Sequence, residues 1–192
     1  MAGKRSSTKA AKVLSSRVVF RGPVFSVVSD RVLEPGGIRA RRDVIRHSGS
    51  VVVLAVDETG REPRVLLERQ YRYAAGQYLW ELPAGRIDPG ESERAGAQRE
   101  LLEETGFTAT SWTRALHFYV SPGFLDETMA IYLARGLRKG KAQPEEDEVI
   151  GVRFWALSAA RKMISSHRIR DAKTITGLLW YSCLRKGRKP RC

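Results

Sequence analysis

The stretch from Gly85 to Phe107 constrains this chain more than any other part of it. It reads Gly-Arg-Ile-Asp-Pro-Gly-Glu-Ser-Glu-Arg-Ala-Gly-Ala-Gln-Arg-Glu-Leu-Leu-Glu-Glu-Thr-Gly-Phe. Pro89-Gly90 supplies a turn, Ser92 is a natural N-cap, and Gly106 can close the helix, which predicts a helix from about Ser92 to Thr105. At about 100° per residue, Ala95, Gln98, Leu101, Leu102 and Thr105 gather on one side, the expected core face. Glu100, Glu103 and Glu104 gather on the other. Like charges at this spacing cost a helix a few tenths of a kcal/mol per pair, and glutamates late in a helix oppose its dipole. Arg99 reaches Glu103 only in the less favourable order. The expectation is that no protein cation offsets these carboxylates. A hard divalent cation would, since Mg²⁺ takes carboxylate and carbonyl oxygens and bridges to phosphates. Taken by themselves, the glutamates fit a solvated acidic face better than a metal site.

The rest of the chain reads as short strands with interspersed helices, which indicates a mixed α/β domain. Residues 1–16, rich in Lys, Ser and Ala, are expected to form a disordered basic lead-in. Val18 to Arg46 reads as antiparallel strands around a Pro35-Gly36-Gly37 turn, a small β subdomain over residues 17–48. Strands are expected at Ser50–Val56, Arg64–Leu67, Leu79–Leu82, Thr113–Val120, Met129–Leu137 and Val149–Trp155, within a main domain over residues 49–184. Helices are expected near Ser158–Ser165 and Asp171–Leu184. Residues 185–192 form a basic C-terminal tail.

The formal net charge of +13 invites a nucleic-acid reading. Its distribution weakens that reading. Lys4, Arg5, Lys9, Lys12 and Arg17 at one end, and Arg185, Lys186, Arg188, Lys189 and Arg191 at the other, carry ten of these charges, so the body between them is only mildly basic. Nucleic-acid binding through the tails is therefore not favoured over solvated arms. Cys183 and Cys192 lie too close together to staple a fold and read as free thiols of a cytoplasmic protein. No apolar run approaches the roughly 20 residues that span a bilayer, and no apolar stretch follows the basic start to make a signal peptide.

Gly85, Glu91, Arg99-Glu100-Leu101, Glu103-Glu104 and Gly106-Phe107 match the pattern GX5EX7REUXEEXGU at nine specified positions over twenty-three residues. The segment thus resembles the signature of the Nudix hydrolases. That resemblance implies an α/β/α sandwich with a mixed sheet, and hydrolysis of a nucleoside-linked diphosphate with Mg²⁺, for which Mn²⁺ can substitute. It implies that Glu100, Glu103 and Glu104 ligate the metal together with the Ala84 carbonyl. Arg99 would orient the glutamates and Glu91 would support the network beside Gly85.

Outside the motif, Leu67 to Glu91 resembles the ADP-ribose pyrophosphatase branch, as does Pro122, sixteen residues beyond Gly106. The substrate implied is a nucleoside diphosphate sugar, ADP-ribose foremost, with AMP and ribose 5-phosphate as products. NADH, a GDP- or UDP-sugar, a dinucleoside polyphosphate and an RNA cap are the competing substrates. A binding module that has lost catalysis is the competing class, against which the intact motif speaks. The same resemblance assigns Arg72 to substrate phosphate, a task suited to a guanidinium fork. It assigns Glu127 to the catalytic pocket, and Phe25, Arg41 and Asp43 to the base, the latter two from the partner of a homodimer. In the acidic run 145–148, Glu146 or Glu148 would activate water. Gly151 and Arg153 depart from the more acidic residues expected just after that run.

Overall fold

A computed structural model of the chain describes residues 10–141 and 149–185. It divides into two compact units: Met1–Gly49 with Tyr119–Glu127, and Ser50–Phe118 with Thr128–Cys192. Together they give an α/β protein with a mixed sheet and a separate small antiparallel sheet.

In the first unit, β1 (Lys12–Arg21), β2 (Ser26–Leu33) and β3 (Arg39–Arg46) form an antiparallel sheet in that order. The turn between β2 and β3 closes through Gly37 N–H to the Glu34 carbonyl, 3.0 Å. Gly36 and Gly37 both adopt the left-handed backbone there, which glycine enters without a Cβ clash. The expected disorder of residues 1–16 needs correcting from Lys12 onward. Lys12, Val13, Ser15 and Ser16 pair with Leu33, Val32, Arg31 and Asp30. A polar composition does not prevent a strand whose backbone bonds are supplied by a neighbour. Every residue of β1 is exposed, including Val13, Val18, Val19 and Phe20.

The second unit holds a seven-stranded sheet. Its main path is β10 (Gly151–Ala156), β5 (Arg64–Arg72), β4 (Ser50–Asp57), β9 (Thr128–Lys139) and β8 (Phe107–Tyr119). β6 (Gln77–Glu81) pairs with β5, and β7 (Ala84–Arg86) pairs with β4. Helix α1 (Glu93–Thr105) packs on one face through Ala97 and Leu101, which join Val51, Val53, Leu66 and Ala130. Helices α2 (Leu157–Ser165) and α3 (Ala172–Arg185) cover the other, where Ala160, Met163, Leu178 and Tyr181 join Val52, Leu54, Leu67 and Leu133. β4 is buried along nearly its whole length, as a strand covered on both faces must be. Among the described residues, no helix is long and apolar enough to cross a membrane.

One register detail creates the site. β4 and β5 are bonded only at Val56↔Val65 and Asp57↔Arg64. Beyond that they part: the far half of β5 takes β6 as its partner, and the near half of β4 takes β7. The connection Leu82-Pro83 crosses between the parted strands and is tied to β4 by Val53 N–H to the Pro83 carbonyl, 2.8 Å.

Candidate functional site

The α1 glutamates lie against this connection. Ser92 caps the helix by accepting from Ala95 N–H, 3.2 Å. Gly106 ends it with φ 72°, its N–H reaching the Leu102 carbonyl. The helix is rotated from the expected orientation. Its buried residues are Gly96, Ala97, Glu100, Leu101, Glu104 and Thr105, while Ala95 and Gln98 face solvent. Alanine, glycine and glutamine are spread round the helix and leave no strong apolar stripe, so the wheel could not fix the rotation. Packing on β4 fixed it, and carried two glutamates inward.

Glu100 is 8 % exposed and Glu104 4 %. Glu104 Oε2 accepts from Ala84 N–H, 3.0 Å. Gly85 lets Glu100 press against the backbone of β7: a Cβ at that position would collide with the Glu100 carboxylate. The expectation that no cation offsets the glutamates is overturned by Arg99. Its Nη1 donates to Glu100 Oε1 at 2.8 Å and Glu103 Oε2 at 3.0 Å. Its Nε and Nη2 grip both oxygens of Glu91 at 3.0 Å. The guanidinium is raised above its ordinary pKa, by the Glu91 hydrogen bonds first, and Glu91 is lowered by the same contact. An arginine fork spanning three carboxylates holds them in fixed relation.

Two more carboxylates enter from the parted strands, and sequence reasoning missed both. Glu68 on β5 and Glu81 on β6 are register partners, 0 % and 1 % exposed. Glu81 takes a two-bond clasp from Arg72, Nε to Oε1 at 3.0 Å and Nη2 to Oε2 at 2.9 Å, and an ion pair from Lys173 of α3. Burial pushes Glu81 up, but Arg72 and Lys173 outweigh it and hold it below its ordinary pKa. Glu68 has no such clasp. Burial pushes it up to about 7; Lys173 and Arg72 pull it back, and the Glu81 charge adds to the rise. Glutamates standing inside apolar strand runs (Val-Leu-Leu-Glu and Leu-Trp-Glu-Leu) were the available signal. Lys173 gave none, because it lies about ninety residues further along.

Six carboxylates (Glu68, Glu81, Glu91, Glu100, Glu103 and Glu104) thus gather around three cations (Arg72, Arg99 and Lys173). Among the described residues no three acidic or histidine side chains already converge as a metal cage. The oxygen-only donor set and the surplus of negative charge nevertheless suit a hard divalent cation, with Glu100, Glu103, Glu104 and the Ala84 carbonyl as the groups that could hold it.

The remaining predicted residues fall elsewhere. Arg72 is committed to Glu81 rather than projecting freely. In the first unit, Arg41 Nη2 donates to Asp43 Oδ2 at 2.9 Å, both well exposed. Phe25 is exposed and packs on Phe20, ring centroids 5.6 Å apart. Glu127 Oε1 lies 3.8 Å from His47 Nδ1. Pro122 lines a hollow of ≈ 320 Å³ with Arg46, Phe124 and Asp126. Glu146 and Glu148 lie outside the described residues.

Known proteins are similar to this chain over most of its length. The model of the NUDIX domain matches residues 46–177. An ADP-ribose pyrophosphatase of Bacillus subtilis is 36% identical over 85% of this chain and 88% of its own. An ADP-ribose pyrophosphatase of Mycobacterium tuberculosis is 36% identical over 88% of this chain and 81% of its own. A solved structure described as an ADP compounds hydrolase superposes with a TM-score of 0.79 at 23% identity, over 95% of this chain and 99% of that one; this likeness speaks for the fold alone.

Proposed function

The chain belongs to the Nudix family and is a pyrophosphatase related to the ADP-ribose pyrophosphatases, and from that premise we propose that it cleaves ADP-ribose to AMP and ribose 5-phosphate with Mg²⁺. The observation that carries this reading is the excess of buried carboxylate around Glu68, Glu100 and Glu104, which folding alone does not reward. A divalent cation held there supplies positive charge to the diphosphate and acidifies water.

The chain's own residues do the rest. Arg99 holds Glu91, Glu100 and Glu103 in register, so that few rotamers remain to be fixed when substrate binds. Gly85 and the Ala84 N–H keep Glu100 and Glu104 against β7. Arg72, clasped by Glu81, keeps a guanidinium at the edge of the cluster, where its remaining donors can face a phosphate oxygen. The proton of the attacking water passes to Glu146 or Glu148, and replacing each in turn by Gln separates the two. Phe25, Arg41 and Asp43 take the adenine in a homodimer, a proposal supported by the exposed apolar residues along β1.

The test is a panel of ADP-ribose, NADH, GDP-mannose, a UDP-sugar, a dinucleoside polyphosphate and capped RNA, assayed with Mg²⁺ and again with EDTA. ADP-ribose is expected to show the highest kcat/KM, and EDTA to abolish turnover. Preference for another member of the panel overturns the substrate. Full activity in EDTA overturns the metal.

A further inference from the structure

On the face of the sheet opposite α1, β5, β6 and the connection between α2 and α3 enclose a cleft of ≈ 430 Å³, lined by Arg69, Tyr78, Trp80, Arg168 and Arg170 among others. The left-handed turn at His167, φ 58°, ends α2 and begins the segment that carries Arg168 and Arg170. Arg153 stands on the neighbouring strand β10, two residues from Gly151, the register partner of Arg69. Gly151 and Arg153 are the two residues that departed from expectation in the sequence, and both stand on β10, where they pair with Arg69 and Leu67 of β5.

What sets these arginines apart is how they are held. None of Arg69, Arg153, Arg168 and Arg170 pairs with a carboxylate among the described residues. Aromatic rings support them instead. Arg69 lies over the Tyr78 ring at 4.8 Å, Arg153 over Trp155 at 4.4 Å, and Arg168 over Trp155 at 5.7 Å. Arg170 donates to the Gln77 side-chain oxygen at 3.3 Å. A ring orients a guanidinium plane without neutralising it. Its outer face and N–H edge stay available, the first for stacking on a base, the second for phosphate oxygens. Arg72, three residues from Arg69 on the same strand, shows the contrast, since its charge is taken up by Glu81.

We propose that this cleft is a second, non-catalytic site that binds the phosphate and base of a nucleotide, either free or as a link of a single strand. Two guanidinium planes of the cleft, Arg69 over Tyr78 and Arg168 over Trp155, with no carboxylate partner among the described residues and in a cleft of nucleotide size, are the juxtaposition that carries it.

The test uses the full-length protein in EDTA with three probes: inorganic phosphate, AMP, and a short 5′-phosphorylated oligoadenylate. Affinity is measured by titration over a range of salt, for the wild type and for Arg69→Gln/Arg168→Gln/Arg170→Gln. The expected result is a loss of about tenfold or more in affinity for AMP or the oligonucleotide, and a salt slope shallower by about 0.7 for each phosphate no longer neutralised. Hydrolysis with Mg²⁺ should be unchanged. Loss on AMP assigns the site to a free nucleotide; loss on the oligonucleotide alone assigns it to a strand. Equal affinity and slope in both proteins overturn the proposal, as does inorganic phosphate binding as tightly as AMP. Should the triple variant misfold, Arg69→Gln and Arg170→Gln singly carry the same comparison, each removing one charge from the cleft.

Discussion

Strand β5 carries opposite charge problems on its two faces. Toward α1 it presents Glu68 and Arg72, amid a cluster with more carboxylates than cations, of which Glu68, Glu81, Glu100 and Glu104 are buried. Toward α2 and α3 it presents Arg69, in an open cleft lined by arginines and, among the described residues, by no acid. The acidic side is buried, bound by a web of hydrogen bonds, and costly unless a cation joins it. The basic side is exposed, held by ring faces, and costs little because water screens it. The same local imbalance therefore points to catalysis in one place and to reversible binding in the other.

The largest expected effect comes from breaking the acidic side. Glu104→Gln should lower turnover on the preferred substrate about 10³-fold while leaving the fold intact by circular dichroism. Near-normal turnover would show that the buried carboxylates are structural. Lys173→Met, which removes a cation buried against Glu81, should destabilise the protein by about 3 kcal/mol in urea unfolding, because it leaves a buried carboxylate short of charge. Mg²⁺ at about a hundredfold its dissociation constant should stabilise the wild type by about 2.7 kcal/mol. Glu100→Gln/Glu104→Gln should lose that increment, and a shift that survives in the variant would place the ion elsewhere.

A balanced pair sharpens the contrast. Thr59, through its side chain and backbone, and then Arg64 hold Asp57 at a pKa of about 2, below the ordinary 3.8. A lowered acid stabilises the fold above its unfolded pKa, and that contribution is lost as pH falls from about 4 through about 2. Water screens the pair, so Asp57→Asn should flatten this acid limb by roughly 1 kcal/mol; an unchanged limb would show the pair to be idle. The smallest effect is on the basic side. Arg69→Gln should change stability by less than about 0.5 kcal/mol, and a larger loss would mean that the stack on Tyr78 is part of the core.

Much of the chemistry could be read from letters. The turn at Pro89-Gly90, the cap at Ser92 and the stop at Gly106 placed α1 within a residue, since helix ends are written in local side-chain chemistry. The strand lengths were less legible. β5 runs on to Arg72 and β8 begins at Phe107, because a strand extends as far as a neighbour supplies hydrogen bonds, whatever its own pattern. The rotation of α1 was misjudged for want of an apolar stripe, and Arg99 was underrated because helix spacing counts Glu103 but cannot see Glu91 folding back from the loop.

The sequence by itself determined the family, the α/β class and the glutamates of α1, since these depend on residue types at fixed short spacing. Only the tertiary structure decided that Glu100 and Glu104 turn inward, and that Glu68, Glu81 and Lys173 meet them. The parting of β4 from β5 brings these groups together, and side chains about ninety residues apart affect one another's charge only once the backbone has closed the distance.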